Sequence, residues 1–227
     1  MNDTRLVLFD LDGTLIDTAP DMAGALNELL AAEGRATLPF ESIRPHVSHG
    51  ASGLLTLAFG DGLAASELAR LRTDFLARYQ ARLAHDSRPF PGIDELLARI
   101  EGAGMDWGVV TNKPAWLTDP LLERLDLARR AQTVVSGDTL EQRKPDPAPL
   151  LFACSESRVA PPHAVYVGDA ERDIVAGRAA GMATYIALYG YLDAVDRPDT
   201  WYATARIAYP TDLWPHLQRP TADIGVP

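Results

Sequence analysis

Val7-Leu8-Phe9-Asp10-Leu11-Asp12-Gly13-Thr14-Leu15 decides how the rest of the chain is read. Leu6 to Phe9 is a short apolar run of the kind that forms a strand covered on both faces. It ends in two carboxylates, Asp10 and Asp12, followed at once by a glycine. Residues i and i+2 of a strand share a face, and a tight turn at Gly13 keeps the two acids close. Two carboxylates at that spacing repel, so they need a cation, a shared proton or different chemical tasks. A calcium loop does not fit. The next alternate position is Leu15 rather than Asp or Asn, and no bidentate Glu stands at the required offset.

Outward from this stretch the chain changes texture twice. Asp17-Thr18-Ala19-Pro20 reads as a helix start, a polar cap followed by proline in the first turn. Met22, Ala25, Leu26, Leu29 and Leu30 then recur at helical spacing up to Gly34. Ile43 to Val47 fits a short helix, and His46 to Gly53 a polar loop of small residues. Leu54, Leu55 and Leu57 open another short helix. A long amphipathic pattern (Leu68, Leu71, Phe75, Leu76, Tyr79, Leu83) fills Ala64 to His85. Residues 17–86 are therefore expected to be all-helical.

Beyond Pro89-Phe90-Pro91-Gly92 the pattern alternates. Strands are expected at Trp107–Thr111, Thr133–Ser136, Ala164–Gly168, Ala183–Ala187 and Ala205–Ala208. Helices are expected at Ile93–Ile100, Trp116–Leu125, Pro149–Cys154, Ile174–Ala180 and Asp212–Leu217. Such alternation implies a parallel sheet with helices on both faces. The architecture is an α/β core, residues 1–16 and 87–217, with a helical insert at 17–86 and a flexible tail at 218–227. Trp116 and Trp201 are read as packing residues.

Composition narrows the function. The 227 residues carry a net charge of −10, which disfavours a nucleic-acid partner. No stretch approaches the length of a membrane helix, and the apolar run near the N-terminus is too short for a signal peptide. A single cysteine, Cys154, excludes an internal disulfide and a cysteine-based zinc site. A soluble cytoplasmic protein is expected, with monomer and homodimer both open. There are only two lysines, Lys113 and Lys144, against nineteen arginines. A compact ammonium differs from a planar guanidinium as a ligand for a single oxygen.

In open parallel sheets, ligands bind beyond the carboxyl ends of the strands. Asp10 and Asp12 follow the first strand, Thr111-Asn112-Lys113 the next, and Gly168-Asp169 a third, with Asp173 four residues on. Lys144-Pro145 precedes a helix between the last two. This set suits phosphoryl transfer. Asp10 attacks phosphorus, and Asp12 protonates the leaving alkoxide and then deprotonates water. Asp10, Asp169 and the Asp12 carbonyl offer Mg²⁺ the oxygen ligands it prefers, supported by Asp173. Thr111 and Lys144, with backbone N–H groups nearby, face the phosphoryl oxygens.

Asp10-Leu-Asp12-Gly-Thr14, Thr111-Asn112, Lys144-Pro145 and Gly168-Asp169-Ala-Glu-Arg-Asp173 resemble the four motifs of the haloacid-dehalogenase-like phosphatases, in the branch with a small helical cap after the first motif. The resemblance implies a Rossmann-like core with an inserted cap and an Mg²⁺-dependent hydrolase acting on a small phosphorylated metabolite. It makes Asp10 the nucleophile and Asp12 the acid/base. Thr111, Asn112 and Lys144 become phosphate ligands, and Asp10, Asp12, Asp169 and Asp173 the metal group. Within the branch, Ser48-His49-Gly50-Ala51 and Thr111-Asn112-Lys113-Pro114 are similar to phosphoglycolate phosphatases. Tyr189-Gly190-Tyr191, with Asp196, Pro198 and Trp201, is similar to a subgroup acting on N-acetylmuramic acid 6-phosphate. Cap residues Arg44, His46, His49 and Gly50, beside Ser48, are the candidates for specificity.

The neighbouring readings fit less well. Dehalogenases of this type lack the second aspartate, because no alkoxide needs a proton, so Asp12 speaks against that activity. A phosphonatase needs a cap lysine, and residues 17–86 contain none. A sugar-phosphate mutase must exclude water through extra cap contacts that no motif here supplies. A non-catalytic phosphate-binding protein would be marked by loss of a core acid, and all are present.

Overall fold

The structure is a computed structural model that describes residues 4–218. Along the chain run β1 (Leu6–Phe9), β2 (Ile16–Asp17), α1 (Ala19–Ala32), α2 (Phe40–Ile43), α3 (Gly50–Phe59), α4 (Ala65–Arg82) and β3 (Arg88–Pro89). There follow α5 (Ile93–Gly102), β4 (Asp106–Val110), α6 (Ala115–Arg124), β5 (Thr133–Val135), α7 (Ala148–Ser157) and β6 (Ala164–Gly168). The chain continues with α8 (Glu171–Ala179), β7 (Ala183–Ala187), β8 (Ala205–Ile207) and α9 (Trp214–Leu217). No helix among the described residues is long and apolar enough to cross a membrane.

The main sheet has six strands in the order β5-β4-β1-β6-β7-β8, all parallel. All four residues of β1 are fully buried, as an uninterrupted apolar run requires. Its alternating side chains separate two cores. Val7 and Phe9 join Leu96, Leu97, Leu117 and Leu121 from α5 and α6. Leu6 and Leu8 join Leu150, Ala153 and Ala176 from α7 and α8. The fold is thus the expected α/β Rossmann-like architecture. Burying a side chain such as Phe9 stabilises it by roughly 1.5–3 kcal/mol.

Phe9 pairs with Val109 on one side and Val167 on the other. The residues just beyond these pairs, Asp10, Thr111 and Asp169, therefore leave the sheet together at one edge. Site geometry starts from this register.

The helical residues α1 to α4 enter and leave through a two-stranded antiparallel ribbon, with Ile16 opposite Pro89 and Asp17 opposite Arg88. A pairing this short carries no periodicity, so the sequence showed no strand at Asp17. Met22, Leu26, Leu29 and Leu30 of α1 are buried together with Leu71, Phe75 and Tyr79 of α4. Asp21, fully buried, accepts hydrogen bonds from the Asp86 and Ser87 N–H groups and the Ser87 hydroxyl, fastening the return to the core.

Four expectations change. His46 to Gly53 is not a loop: a 3₁₀ turn spans Arg44–His49 and α3 starts at Gly50. Its small residues lack apolar spacing, but a Cβ on Gly53 would lie 2.3 Å from His49 Cβ, so close packing explains the glycine. Thr18 stands at the N-cap of α1 without a side-chain capping bond, and its hydroxyl goes elsewhere. The last helix is shorter than expected: Pro210–Leu213 form a 3₁₀ turn and only Trp214–Leu217 are α-helical. Trp116 is 43% exposed and joins none of the core clusters, whereas Trp201 is buried against Ile174 and Ile186. The tail from 219 to 227 lies outside the described residues.

Candidate active site

Asp10 leaves β1 almost fully buried, its N–H donating to the Val167 carbonyl at 2.8 Å. Its Oδ1 accepts the Leu11 N–H at 2.7 Å and lies 2.8 Å from Lys144 Nζ. The same ammonium lies 2.8 Å from Asp173 Oδ1 and donates to the Val110 carbonyl at 3.0 Å and the Tyr166 hydroxyl at 2.7 Å. Lys144 is therefore a buried hub between two acids. Asn112 holds it in place. The Asn112 amide donates to the Lys144 carbonyl at 3.0 Å and accepts the Lys144 N–H at 3.1 Å. The Asn112 side chain, expected as a phosphate ligand, is thus occupied as a clasp on the Lys144 segment. Only a folded chain brings positions 112 and 144 together.

Asp12 is set apart. Its Oδ1 accepts the Thr18 hydroxyl at 2.6 Å and the Lys113 ammonium at 2.7 Å. The Thr18 hydroxyl missing from the helix cap is spent here. The α1 N-terminus is served instead by the Tyr191 phenol, which accepts the Ala19 N–H at 2.9 Å and donates to Asp17 at 2.6 Å.

Asp169, at the end of β6, accepts the Tyr191 N–H at 2.9 Å and the Ser48 hydroxyl at 2.6 Å, both on Oδ2. Its Oδ1 is buried with no hydrogen-bond partner. Burial, reinforced by Asp10 and Asp173 and opposed by Ser48 and Tyr191, pushes the Asp169 carboxyl up to about 7. Burial also raises Asp10, outweighing the Lys144 charge. Asp173 is fully buried and ties Lys144 to the Ala170 N–H at 3.0 Å, with no open access to solvent. Thr111, buried beside these groups, accepts the Lys113 N–H on its hydroxyl at 3.1 Å.

Carboxylate oxygens of Asp10, Asp169 and Asp173 lie within 4.8 Å of one another. An orphaned buried oxygen beside two further acids is the donor set a hard cation takes. Gly13 keeps the space open. A Cβ there would fall 2.1 Å from Asp169 Oδ2, and its φ of +83° suits glycine alone. The residues present fit a divalent cation.

The helical layer reaches this edge through Arg44–His49. Besides the Ser48 bond, Arg172 of α8 donates to the Ser48 carbonyl at 2.7 Å. Arg44 donates to the Gly190 and Tyr189 carbonyls, both at 3.1 Å, and lies over the Tyr191 ring. Arg44, expected to meet substrate, is thus engaged as a strut. His46 is half-buried, 3.9 Å from Asp193, and His49 is exposed with its ring centroid 6.2 Å from that of His46. Gly50 has φ +64° and ends the 3₁₀ turn.

Sequence reasoning missed the contacts of Lys113, Thr18, Tyr166, Arg172 and Tyr191. Lys113 carried a signal as one of two lysines in the chain, and Thr18, Arg172 and Tyr191 only as members of the motifs quoted above.

The description "haloacid dehalogenase-like hydrolase" belongs to the family model that matches residues 7–187, from β1 to the end of β7. The chain is a haloacid dehalogenase-like hydrolase. Among hydrolases similar to it is the N-acetylmuramic acid 6-phosphate phosphatase of Pseudomonas aeruginosa, 43% identical over 96% of this chain and 97% of that one. A phosphoglycolate phosphatase of Xanthomonas campestris is 45% identical over 92% of this chain and 95% of its own. In three dimensions this hydrolase matches a crystal structure described as a predicted phosphoglycolate phosphatase from Haemophilus somnus 129PT. The TM-score is 0.85 and the identity 27%, over 96% of this chain and all of the other.

Proposed function

We propose that this hydrolase is a Mg²⁺-dependent phosphatase that cleaves a small phosphomonoester through an aspartyl-phosphate on Asp10, with 2-phosphoglycolate as the first substrate to test. The observation that carries the reading is a separation of charge. Asp10 shares Lys144 with Asp173 beside an unpartnered Asp169 oxygen, while Asp12 pairs with Lys113 on its own. One aspartate is thereby equipped as nucleophile and metal ligand, the other for proton transfer.

In the first step an Asp10 carboxylate oxygen attacks phosphorus. The bond to the ester oxygen breaks, and Asp12 gives that oxygen its proton. In the second step water attacks the phosphorus of aspartyl-phosphate, Asp12 takes the water proton, and inorganic phosphate leaves Asp10. Lys144 and the Thr111 hydroxyl bind phosphoryl oxygens as charge moves onto them. Asp10, Asp169 and the Asp12 carbonyl would hold Mg²⁺, with Asp173 steadying the group. When bound, the ion neutralises phosphate and carboxylate charge. Residues 17–86 act as a cap that excludes water, with the two-stranded ribbon as its joint. His46, His49 and Gly50 face the substrate from the cap. The protein works in the cytoplasm, on a metabolite and without nucleic acid or membrane.

A second reading, N-acetylmuramic acid 6-phosphate as substrate, is supported by the Pseudomonas aeruginosa relative, which aligns across nearly its whole length. The Tyr189-Gly190-Tyr191 segment, which braces Arg44, supports it too. Phosphate release with Mg²⁺ from 2-phosphoglycolate, N-acetylmuramic acid 6-phosphate and hexose phosphates separates the two. The highest kcat/KM is expected for 2-phosphoglycolate. A clear preference for the amino-sugar ester moves the assignment to the second reading, and no phosphate release from any ester refutes both.

A further inference from the structure

The two lysines of the chain are divided between the two aspartates of the opening motif. Lys144 takes Asp10 at 2.8 Å, and Lys113 takes Asp12 at 2.7 Å. The phosphoryl-transfer steps above use Asp10, Lys144 and Asp12 and leave Lys113 without a task. We propose that Lys113 is a positioning residue for Asp12, holding the carboxylate where it meets the leaving-group oxygen; this rests on the phosphatase reading.

Three observations support it. The Lys113 side chain is only 5% exposed, which for an ammonium requires a committed partner. Its nitrogen lies between Asp12 Oδ1 and the face of the Tyr79 ring, 4.6 Å from the centroid. Its backbone is pinned on both sides, the N–H donating to the Thr111 hydroxyl at 3.1 Å and the carbonyl accepting the Gly137 N–H at 2.8 Å. Both side-chain contacts of Asp12, from Lys113 and Thr18, fall on the same oxygen. That arrangement orients the carboxyl group and leaves Oδ2 for the proton transfer. Tyr79 belongs to α4, so the position of the helical layer reaches Asp12 through this ammonium.

A purely structural ion pair predicts equal losses on every substrate. A positioning residue predicts losses that follow the leaving group. p-Nitrophenolate departs without a proton, whereas an alkoxide needs one. The experiment compares kcat/KM of the full chain with Mg²⁺ on p-nitrophenyl phosphate and on an alkyl phosphomonoester, for wild type, Lys113→Met and Lys113→Arg. This ratio reports the steps through phosphorylation of Asp10. Lys113→Met is expected to lose about tenfold more activity on the alkyl ester than on the aryl ester. Lys113→Arg keeps the charge and so the fold, but its larger planar group shifts Oδ1 and produces the same selective loss. Equal losses on both esters, or wild-type rates in either folded variant, overturn the inference. If Lys113→Met does not fold, Lys113→Arg alone decides. A wild-type chain that hydrolyses neither ester overturns the phosphatase reading and this inference with it, an outcome distinct from the others.

Discussion

Ser48 Oγ donates to Asp169 Oδ2 at 2.6 Å, joining the helical layer to the acid that has a free buried oxygen. That bond lowers the Asp169 carboxyl against the effect of burial. Ser48→Ala should therefore leave more of Asp169 protonated near neutrality. Half-activation by Mg²⁺ is expected to need severalfold more ion at pH 7, with the difference shrinking at alkaline pH. An unchanged Mg²⁺ titration of phosphatase activity at pH 7 contradicts this.

The acids also set a pH dependence of stability without metal. Asp169 ionises at about 7 in the fold, above its ordinary value of 3.8, so the folded state binds the extra proton between those limits. Asp169 should make the metal-free protein less stable as pH rises from about 4 to 7, contributing at most roughly 1.4 kcal/mol per pH unit and nothing further above that range. Asp10, raised in the same direction, adds to the slope. Mg²⁺, which favours the ionised forms, should flatten it. Thermal melts across this range with chelator and with Mg²⁺ measure both, and Asp169→Asn should remove much of the slope.

Asp10→Asn removes the proposed nucleophile together with one charge of a crowded group. Turnover should drop at least about a thousandfold. The melting temperature should hold or rise, because burial already disfavours the Asp10 charge. Detection of a phosphorylated enzyme in this variant by intact-mass measurement would sink the assignment of Asp10.

Lys144→Met takes the shared cation from Asp10 and Asp173, both buried. Breaking a buried pair by deleting one partner costs about 3–5 kcal/mol. Urea unfolding should show a loss of that order, partly recovered by lowering pH, which protonates the stranded acids. A loss below about 1 kcal/mol would mean that Lys144 is not the hub.

Gly190 packs on the site from the β7–β8 connection. A Cβ there would lie 2.4 Å from both Asp169 Cβ and the Gly13 carbonyl oxygen. Gly190→Ala should cost about 1–3 kcal/mol and displace Asp169, lowering kcat and weakening Mg²⁺ activation together. Wild-type melting and kinetics would show that the loop yields without disturbing the acid.

Much of this protein is legible without coordinates. An unbroken apolar run at Leu6–Phe9 reads as a strand covered on both faces, which it is, and the later strands and helices alternate with the two periods that mark parallel α/β folds. Asp10, Asp12, Thr111, Lys144, Asp169 and Asp173 follow strand ends or precede helices, so topology alone brings them to one edge. Where periodicity was absent, the reading failed. His46 to Gly53 looked like a loop because small residues hide a helical turn, and the ribbon of Ile16–Asp17 with Arg88–Pro89 is too short to show a pattern.

Partners were beyond reach. Asn112 was read as a phosphate ligand and Arg44 as a substrate contact; that the first also clasps Lys144 and the second also donates to the Tyr189 and Gly190 carbonyls had no signal in the sequence. Thr18 stands at the helix N-cap, as the Asp17-Thr18-Ala19-Pro20 start implied, but its hydroxyl holds Asp12 rather than the helix end. Sequence by itself determined which groups stand at strand ends, because apolar runs, turn residues and side-chain types are local properties of the chain. Tertiary structure decided which group pairs with which: Lys144 with Asp10, Lys113 with Asp12, Ser48 with Asp169. The physical reason is that charge and hydrogen-bond pairing depends on contacts of about 3 Å between residues from 101 to 134 positions apart, a separation over which no local pattern carries information.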